Sequence, residues 1–210
     1  AVLDGASVRE GVTSRVFWIL IVVLFAQSIA QNGALTHMAA LLTDRGIAAS
    51  GAAVALSAMG AASLLGRLST GWLLDRFFAP RVGFCLLSIA ALGTYLLASA
   101  QSLTVGVLAA ALIGFGMGAE ADVTPYILSR YLGLRSFAML YGLTWTAYAI
   151  AGAVGPILMG RAFDLTGSYT TLLTQLAIGT FLIAALLLLM PGYERAFTRL
   201  APESSSLAQP

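Results

Sequence analysis

The chain has 210 residues, of which 59% are hydrophobic and only 10% charged, with a mean hydropathy of +0.91. A soluble domain of this size could not keep so much apolar surface from self-association, which leaves a membrane-embedded helical bundle. The net charge of +2 comes from 11 arginines against nine acidic residues; the arginines are dispersed over turns with no aromatic–basic patch, which argues against a nucleic-acid surface.

A bilayer core of roughly 30 Å takes about 20 apolar residues to cross as a helix. Six such spans are predicted, at 15–42, 50–76, 80–99, 103–130, 136–162 and 169–190. The chain opens Ala-Val-Leu-Asp without an initiator Met, so it is expected to be a piece of something longer, residues 1–14 ending a preceding loop. The first span holds a polar run, Gln27, Gln31 and Asn32, whose amides need partners in lipid and are expected to face the bundle interior. His37 follows near its end. The second span carries Arg67, the one arginine that falls inside a span, and ends in Gly71, Asp75 and Arg76. Cys85 in the third is the single cysteine, which excludes a disulfide or a thiolate metal cluster and reads as a small packing residue. The fourth contains Gly114, Gly118, Glu120, Asp122 and Arg130, and the fifth sets Tyr141, Trp145 and Tyr148 on one stripe by helical spacing. Residues 191–210, including Pro202 and Ser204, Ser205 and Ser206, are too polar to continue the bundle and are expected to form a loose tail.

The arginines also set an orientation. With both ends cytoplasmic, Arg9, Arg15, Arg76, Arg81, Arg130, Arg135, Arg195 and Arg199 lie inside, while Arg45 and Arg161 lie outside beside a compensating Asp44 or Asp164. Arginine without lysine suggests a GC-rich bacterial coding sequence, and hence a bacterial inner membrane.

Gly66, Gly71 and Asp75 in GRLSTGWLLD recur at Gly155, Gly160 and Asp164 in GPILMGRAFD, 89 residues later. Three helices separate the copies, so they cross the membrane in opposite senses, as in the inverted repeats of transporters. Small residues at Gly114 and Gly118, Gly152 and Pro156, and Ala62 and Gly66 allow the close helix approach on which association in lipid relies.

The segment GRLSTGWLLDRFFAPR, from Gly66 to Arg81, resembles the loop motif that follows the second helix of each half of the major facilitator superfamily. It departs from the full pattern at Phe78, where the family usually has glycine. The strings GMGAEADVTPYILSRYLG and YGLTWTAYAIAGAVGPILMGRAFDLTGSY resemble helices ten and eleven of its monocarboxylate and oxalate–formate branch. The resemblance covers about residues 15–190 and implies an all-α membrane protein: six transmembrane helices as two inverted three-helix repeats, half of a twelve-helix major facilitator fold. Residues 1–14 would end its cytoplasmic central loop, 15–190 would be helices seven to twelve, and 191–210 a cytoplasmic tail. The implied partners are the N-terminal six-helix half, the lipid bilayer, a small carboxylate substrate and protons.

Arg67 carries the expected chemistry. A guanidinium inside a span is costly unless it faces a cavity or a partner, and its planar fork suits a carboxylate; in the monocarboxylate branch an arginine at the matching place, directly after Gly66, binds the carboxylate. A fixed salt bridge to Glu120 or Asp122 is the competing reading. Proton-linked animal carriers have an aspartate one turn earlier, where this chain has Ser63. The proton-coupling candidates are therefore Glu120, Asp122 and His37, because a carboxyl in a low-dielectric site holds its proton more readily and histidine titrates near neutrality. A charge network with Arg67 and Arg130 competes for the two acids, and a gating hydrogen bond for His37. Oxalate carriers have a lysine where this chain has Tyr148, so one cation favours a monocarboxylate. Tyr141, Trp145, Tyr148 and Gln31 complete the expected substrate-binding set, with lipid-facing packing as the alternative for the aromatic residues. Gly71, Asp75, Arg76 and Arg130 are expected to form a conformational latch at the cytoplasmic surface.

No GxxxxGKS/T loop, HExxH, GxSxG, paired histidine or cysteine pair is present, so no cofactor, metal site or catalytic set is expected. The sequence points to a secondary carrier of small organic anions working by alternating access; the alternatives are a non-transporting membrane sensor or assembly subunit on the same fold, or a carrier of a different small solute.

Overall fold

The computed structural model describes residues 4–193. Among them the elements are helices: α1 (Val8–Thr13), α2 (Arg15–Asp44), α3 (Ala49–Arg76), α4 (Ala79–Ala98), α5 (Leu103–Leu132), α6 (Phe137–Thr166) and α7 (Thr170–Ala184), the last continuing as a 3-10 turn over Ala185–Leu189. The six predicted spans are thus α2 to α7, each long and apolar enough to cross a membrane. Local chemistry sets their ends. Ser14 and Ser102 accept the N–H groups of Phe17 and Val105 as N-caps, Pro80 stands in the first turn of α4, and Gly167 closes α6 in the left-handed conformation. Buried hydroxyls inside the spans turn back on their own helices: Thr70 donates to the Gly66 carbonyl and Thr94 to that of Ala90. No donor is stranded in hydrocarbon at those two sites.

The helices touch through glycine. A side chain at Gly118 would strike the backbone carbonyl of Ser63, one at Gly114 that of Met59, and one at Gly66 that of Phe115, so α3 and α5 lie backbone against backbone. On the other side of the bundle Gly155 meets the Ile29 carbonyl, and Gly33 in turn meets Gly155, joining α6 to α2. The two contacts are mates. Gly66 and Gly155 are the residues related by the 89-residue repeat, and each abuts the first helix of the opposite triplet. The fold is therefore two inverted three-helix repeats, α2–α4 and α5–α7, locked by reciprocal crossings.

Apolar packing falls into two clusters. One, with Phe17, Leu20, Leu86, Ile127 and Leu187, lies at the end that carries α1 and Tyr193; the other, with Met38, Leu42, Leu97, Ile113 and Leu173, lies at the far end. Between them runs a layer in which Gln27, Ser28, Gln31 and Thr144 are buried polar groups.

Three expectations are corrected. Residues preceding 15 are not merely loop: α1 is capped by Ser7 and Glu10, each bonding the other's backbone, and Asp4 and Ala6 bond to Leu134 and Leu132 at the α5–α6 turn. Gly5 and Gly133, both at positive φ, bridge there so closely that neither tolerates a Cβ. The Ser7 backbone N–H and hydroxyl hold the Glu10 carboxyl below the usual glutamate range. Arg45 is not matched to Asp44; it donates to the carbonyls of Leu97, Ala98 and Ala100 at 2.8–2.9 Å and to Thr170, capping α4. Cys85 is exposed on α4 rather than packed. The tail beyond Tyr193, with Arg195, Arg199, Pro202, Ser204, Ser205 and Ser206, lies outside the described residues.

Gly118→Leu is expected to disrupt assembly, because the only relief is separation of two backbones; overpacking typically costs about 1–3 kcal/mol and more where backbone must move. Gly179 on α7, which has open space around it, should accept alanine with the melting temperature in detergent unchanged. Equal losses of monodisperse protein for Gly118→Leu and Gly179→Ala would contradict the glycine contacts described above.

Candidate functional site

The polar layer opens into a cavity of about 270 Å³. The Gly118–Ser63 contact brings α3 and α5 together at its floor, and Ser63, Arg67, Gly118 and Glu120 line that side. Opposite them α6 contributes Tyr141, Thr144, Trp145 and Tyr148, with Leu24 from α2. Three of the aromatic rings form an edge-to-face chain, Tyr141 to Trp145 at 6.1 Å and Trp145 to Tyr148 at 5.1 Å between centroids. The stripe on α6 therefore faces this cavity and not lipid alone, while Trp145 remains 46% exposed.

Arg67 is open. Its side chain is 56% exposed, and its ion pair places Nε 3.8 Å from Oδ2 of Asp122, itself 38% exposed. That separation exceeds hydrogen-bond reach, so the pair draws on Coulomb attraction and leaves the planar fork unoccupied. Of the two readings for Arg67, a loose contact with Asp122 is present, whereas a tight sealed salt bridge is not.

The two acids on α5 behave differently although they are neighbours in sequence. Glu120 is 7% exposed, and its Oε1 is buried with no hydrogen-bond partner. It lines the cavity from beneath and also borders a small apolar void formed by Leu20, Leu86 and Leu187. Asp122, two residues on and thus about 200° around the helix, points away to the Arg67 flank. Glu120 is not networked with Arg130, which donates to the Tyr126 hydroxyl at 3.3 Å; Tyr126 in turn donates to the Leu74 carbonyl at the end of α3.

Gln31 does not line the cavity. It is buried behind it and donates from Nε2 to the Tyr148 hydroxyl at 2.8 Å. His37 lies well away, its Nδ1 3.3 Å from the Gly33 carbonyl and its ring 5.4 Å from that of Tyr169. The expected latch residues lie at the end shared with α1. Arg76 stacks over Trp72 at 4.1 Å, Gly71 has nothing within 4 Å, and Asp75 is exposed. Arg130 reaches α3 through Tyr126 and not through Asp75.

Sequence reasoning missed Ser28 and Thr144. Ser28 donates to the Tyr148 backbone carbonyl at 2.7 Å and Thr144 borders the cavity. The signal available was helical spacing, since Ser28 is one turn from Gln31 and Thr144 one turn from Tyr148. Among the described residues no cluster of His, Cys, Asp and Glu could hold a metal ion.

Comparison with known proteins agrees with this architecture. Over 150 residues the chain is 30% identical to monocarboxylate transporter 13 of Rattus norvegicus, which covers 70% of this chain and 35% of that protein. It is 28% identical over 137 residues to monocarboxylate transporter 12 of Homo sapiens, 60% of this chain and 25% of that one. The chain thus spans about a third or less of the curated relatives it matches. Among solved structures, the crystal structure of the E. coli fucose:proton symporter FucP aligns with a TM-score of 0.67 and 20% identity, over 93% of this chain and 46% of that one. The family model of the Major Facilitator Superfamily matches residues 5–156. With six helices in two inverted triplets and this match over most of its length, the chain belongs to the major facilitator superfamily.

Proposed function

We propose that this chain is the C-terminal half of a secondary carrier of small organic anions, monocarboxylates foremost, in which Arg67 anchors the carboxylate. The observation that carries this reading is an arginine inside a span with its fork free and facing a cavity. Insertion scales put a central arginine at about +2.5–3.5 kcal/mol, a cost retained where the group has a use. The similarity to monocarboxylate transporters 13 and 12 supports the substrate class. One arginine with neutral Tyr148 opposite matches one carboxylate better than two.

The remaining half supplies the other wall. α6 is the least buried span and α3 follows it, level with α7; α3 and α6 also line the open cavity, and Gly60, Gly71 and Gly142 on them have nothing within 4 Å. These faces receive the N-terminal six-helix half, and the two halves rock about the cavity between them. Asp75 on the open face of α3 serves with Gly71 and Arg76 as the latch of one access state. Arg130 braces the end of α3 through Tyr126. Residues 1–14 then end the central cytoplasmic loop, residues 15–190 form the six-helix bundle, and residues 191–210 form the cytoplasmic tail of a protein in the bacterial inner membrane. Among the coupling candidates Glu120 is the one in the right place. A carboxylate buried without a donor is costly, and a group that must shed or gain a proton as the cavity opens is suited to coupling. Asp122 is solvated beside Arg67, and His37 is remote from the cavity.

Three outcomes test this. In proteoliposomes holding the full-length carrier, Arg67→Lys should raise KM for radiolabelled acetate, pyruvate or lactate by about 10- to 100-fold, the worth of a charge-assisted fork. Arg67→Ala should abolish uptake while the protein remains inserted. Normal uptake by a folded Arg67→Ala carrier would remove Arg67 from the site.

Glu120→Gln should make uptake indifferent to an imposed pH gradient while substrate exchange persists, and Asp122→Asn should keep the gradient dependence. Retained gradient dependence in Glu120→Gln would assign coupling elsewhere.

For orientation, in a Cys85→Ser background a cysteine at Arg135 should react with impermeant thiol reagents from the cytoplasmic side and one at Ser102 from outside. Labelling of both from one side would contradict the topology.

A further inference from the structure

A chain of buried amides stands directly behind the cavity wall. Gln27 and Gln31 are each 2% exposed, one helical turn apart on α2. Gln27 Nε2 lies 3.4 Å from Gln31 Oε1, and Gln31 Nε2 donates to the Tyr148 hydroxyl at 2.8 Å. Ser28, fully buried between them, donates to the Tyr148 backbone carbonyl at 2.7 Å and so pins the α6 backbone as well as the ring. Nothing in the packing demands two buried glutamines. Gly155 and Gly33 already bring α2 and α6 into contact, and an apolar pair would fill the space without needing partners.

The direction of these bonds has a chemical result. An amide NH2 can only donate, so Gln31 occupies a lone pair of the tyrosine oxygen and leaves the hydroxyl hydrogen to point elsewhere. Tyr148 lines the cavity across from Arg67. A hydroxyl whose oxygen already accepts one bond is polarised into a better donor. It cannot rotate away without leaving the buried Gln31 amide unpaired.

We propose that Gln31, supported by Gln27, is a positioning residue that aims the Tyr148 hydroxyl into the cavity as a fixed neutral donor, so that the carboxylate is held by a cation on α3 and a hydroxyl on α6. This rests on the proposed carboxylate site and adds a specificity rule to it. A group with no charge contributes little toward a second carboxylate, yet bonds well to the free oxygen of a first. Because α3 and α6 belong to different inverted repeats, the substrate also bridges the two triplets.

The test is a double-mutant cycle on the full-length carrier in proteoliposomes, with radiolabelled acetate, pyruvate and lactate as probes. Tyr148→Phe is isosteric and should raise KM by about three- to tenfold with the maximal rate retained, as expected for one neutral hydrogen bond. Gln31→Met should do the same alone and add nothing in the Tyr148→Phe background. Gln31→Glu, which turns the hydroxyl inward by offering an acceptor, should be at least as harmful. The inference is overturned if Gln31→Met acts equally in both backgrounds, which is the behaviour of a merely structural residue, or if Tyr148→Phe leaves KM unchanged. Should Gln31→Met fail to insert, Tyr148→Phe alone decides by the same criterion. Loss of this inference with the Arg67→Lys defect intact leaves the carboxylate site standing; absence of carboxylate uptake by the unmodified carrier overturns both.

Discussion

In lipid the solvent is as apolar as leucine, so no hydrophobic force draws these helices together, and close contact has to do that work. The structure meets this constraint with glycines at the crossing points, chiefly Gly114 and Gly118 on α5, Gly66 on α3 and Gly155 on α6. Because Gly66 and Gly155 are repeat mates, the same solution appears twice with opposite sense. The crossings lie between the two apolar clusters, at the depth where the bundle can accommodate side chains that lipid would reject. The position of the polar layer is thus a consequence of how the helices are held.

Within that layer each polar group has a distinct expense. Buried amides are satisfied by one another within α2 and by Tyr148 across to α6, the latter an interhelical bond of a kind worth about 0.6 kcal/mol on average in membranes. Arg67 is left open toward the cavity, with a loose acidic neighbour that moderates its charge without occupying its fork. Glu120 is the unsatisfied member. A bundle built only for stability would carry an apolar residue there, and the coupling role proposed above gives this buried acid a use.

Much of this was legible in the sequence because the membrane imposes length. The spans, the Gly66/Gly155 repeat and the shared helix face of Tyr141, Trp145 and Tyr148 follow from apolar runs and from 3.6-residue periodicity, though not the direction in which that face looks. What escaped were contacts between distant segments of small apolar bias. The bridge of Gly5 to Gly133 and the capping of α4 by Arg45 each join residues whose identity alone suggests a turn. Depth alone groups Asp122 with Glu120, whereas the helix sends them to opposite sides. Its polarity alone suggests Gln31 for substrate contact, whereas the packing of α2 on α6 puts Tyr148 in front of it. Depth is readable from hydropathy, but azimuth depends on which neighbour a helix meets.

The account's central claim is that the open fork of Arg67 is the seat of a carboxylate. The most direct measurement is a structure of the full-length carrier with a bromine-substituted monocarboxylate, located by its anomalous signal. The account predicts the carboxylate within hydrogen-bond distance of the Arg67 guanidinium, between α3 and α6. A ligand bound elsewhere while Arg67 closes onto Asp122 would contradict it.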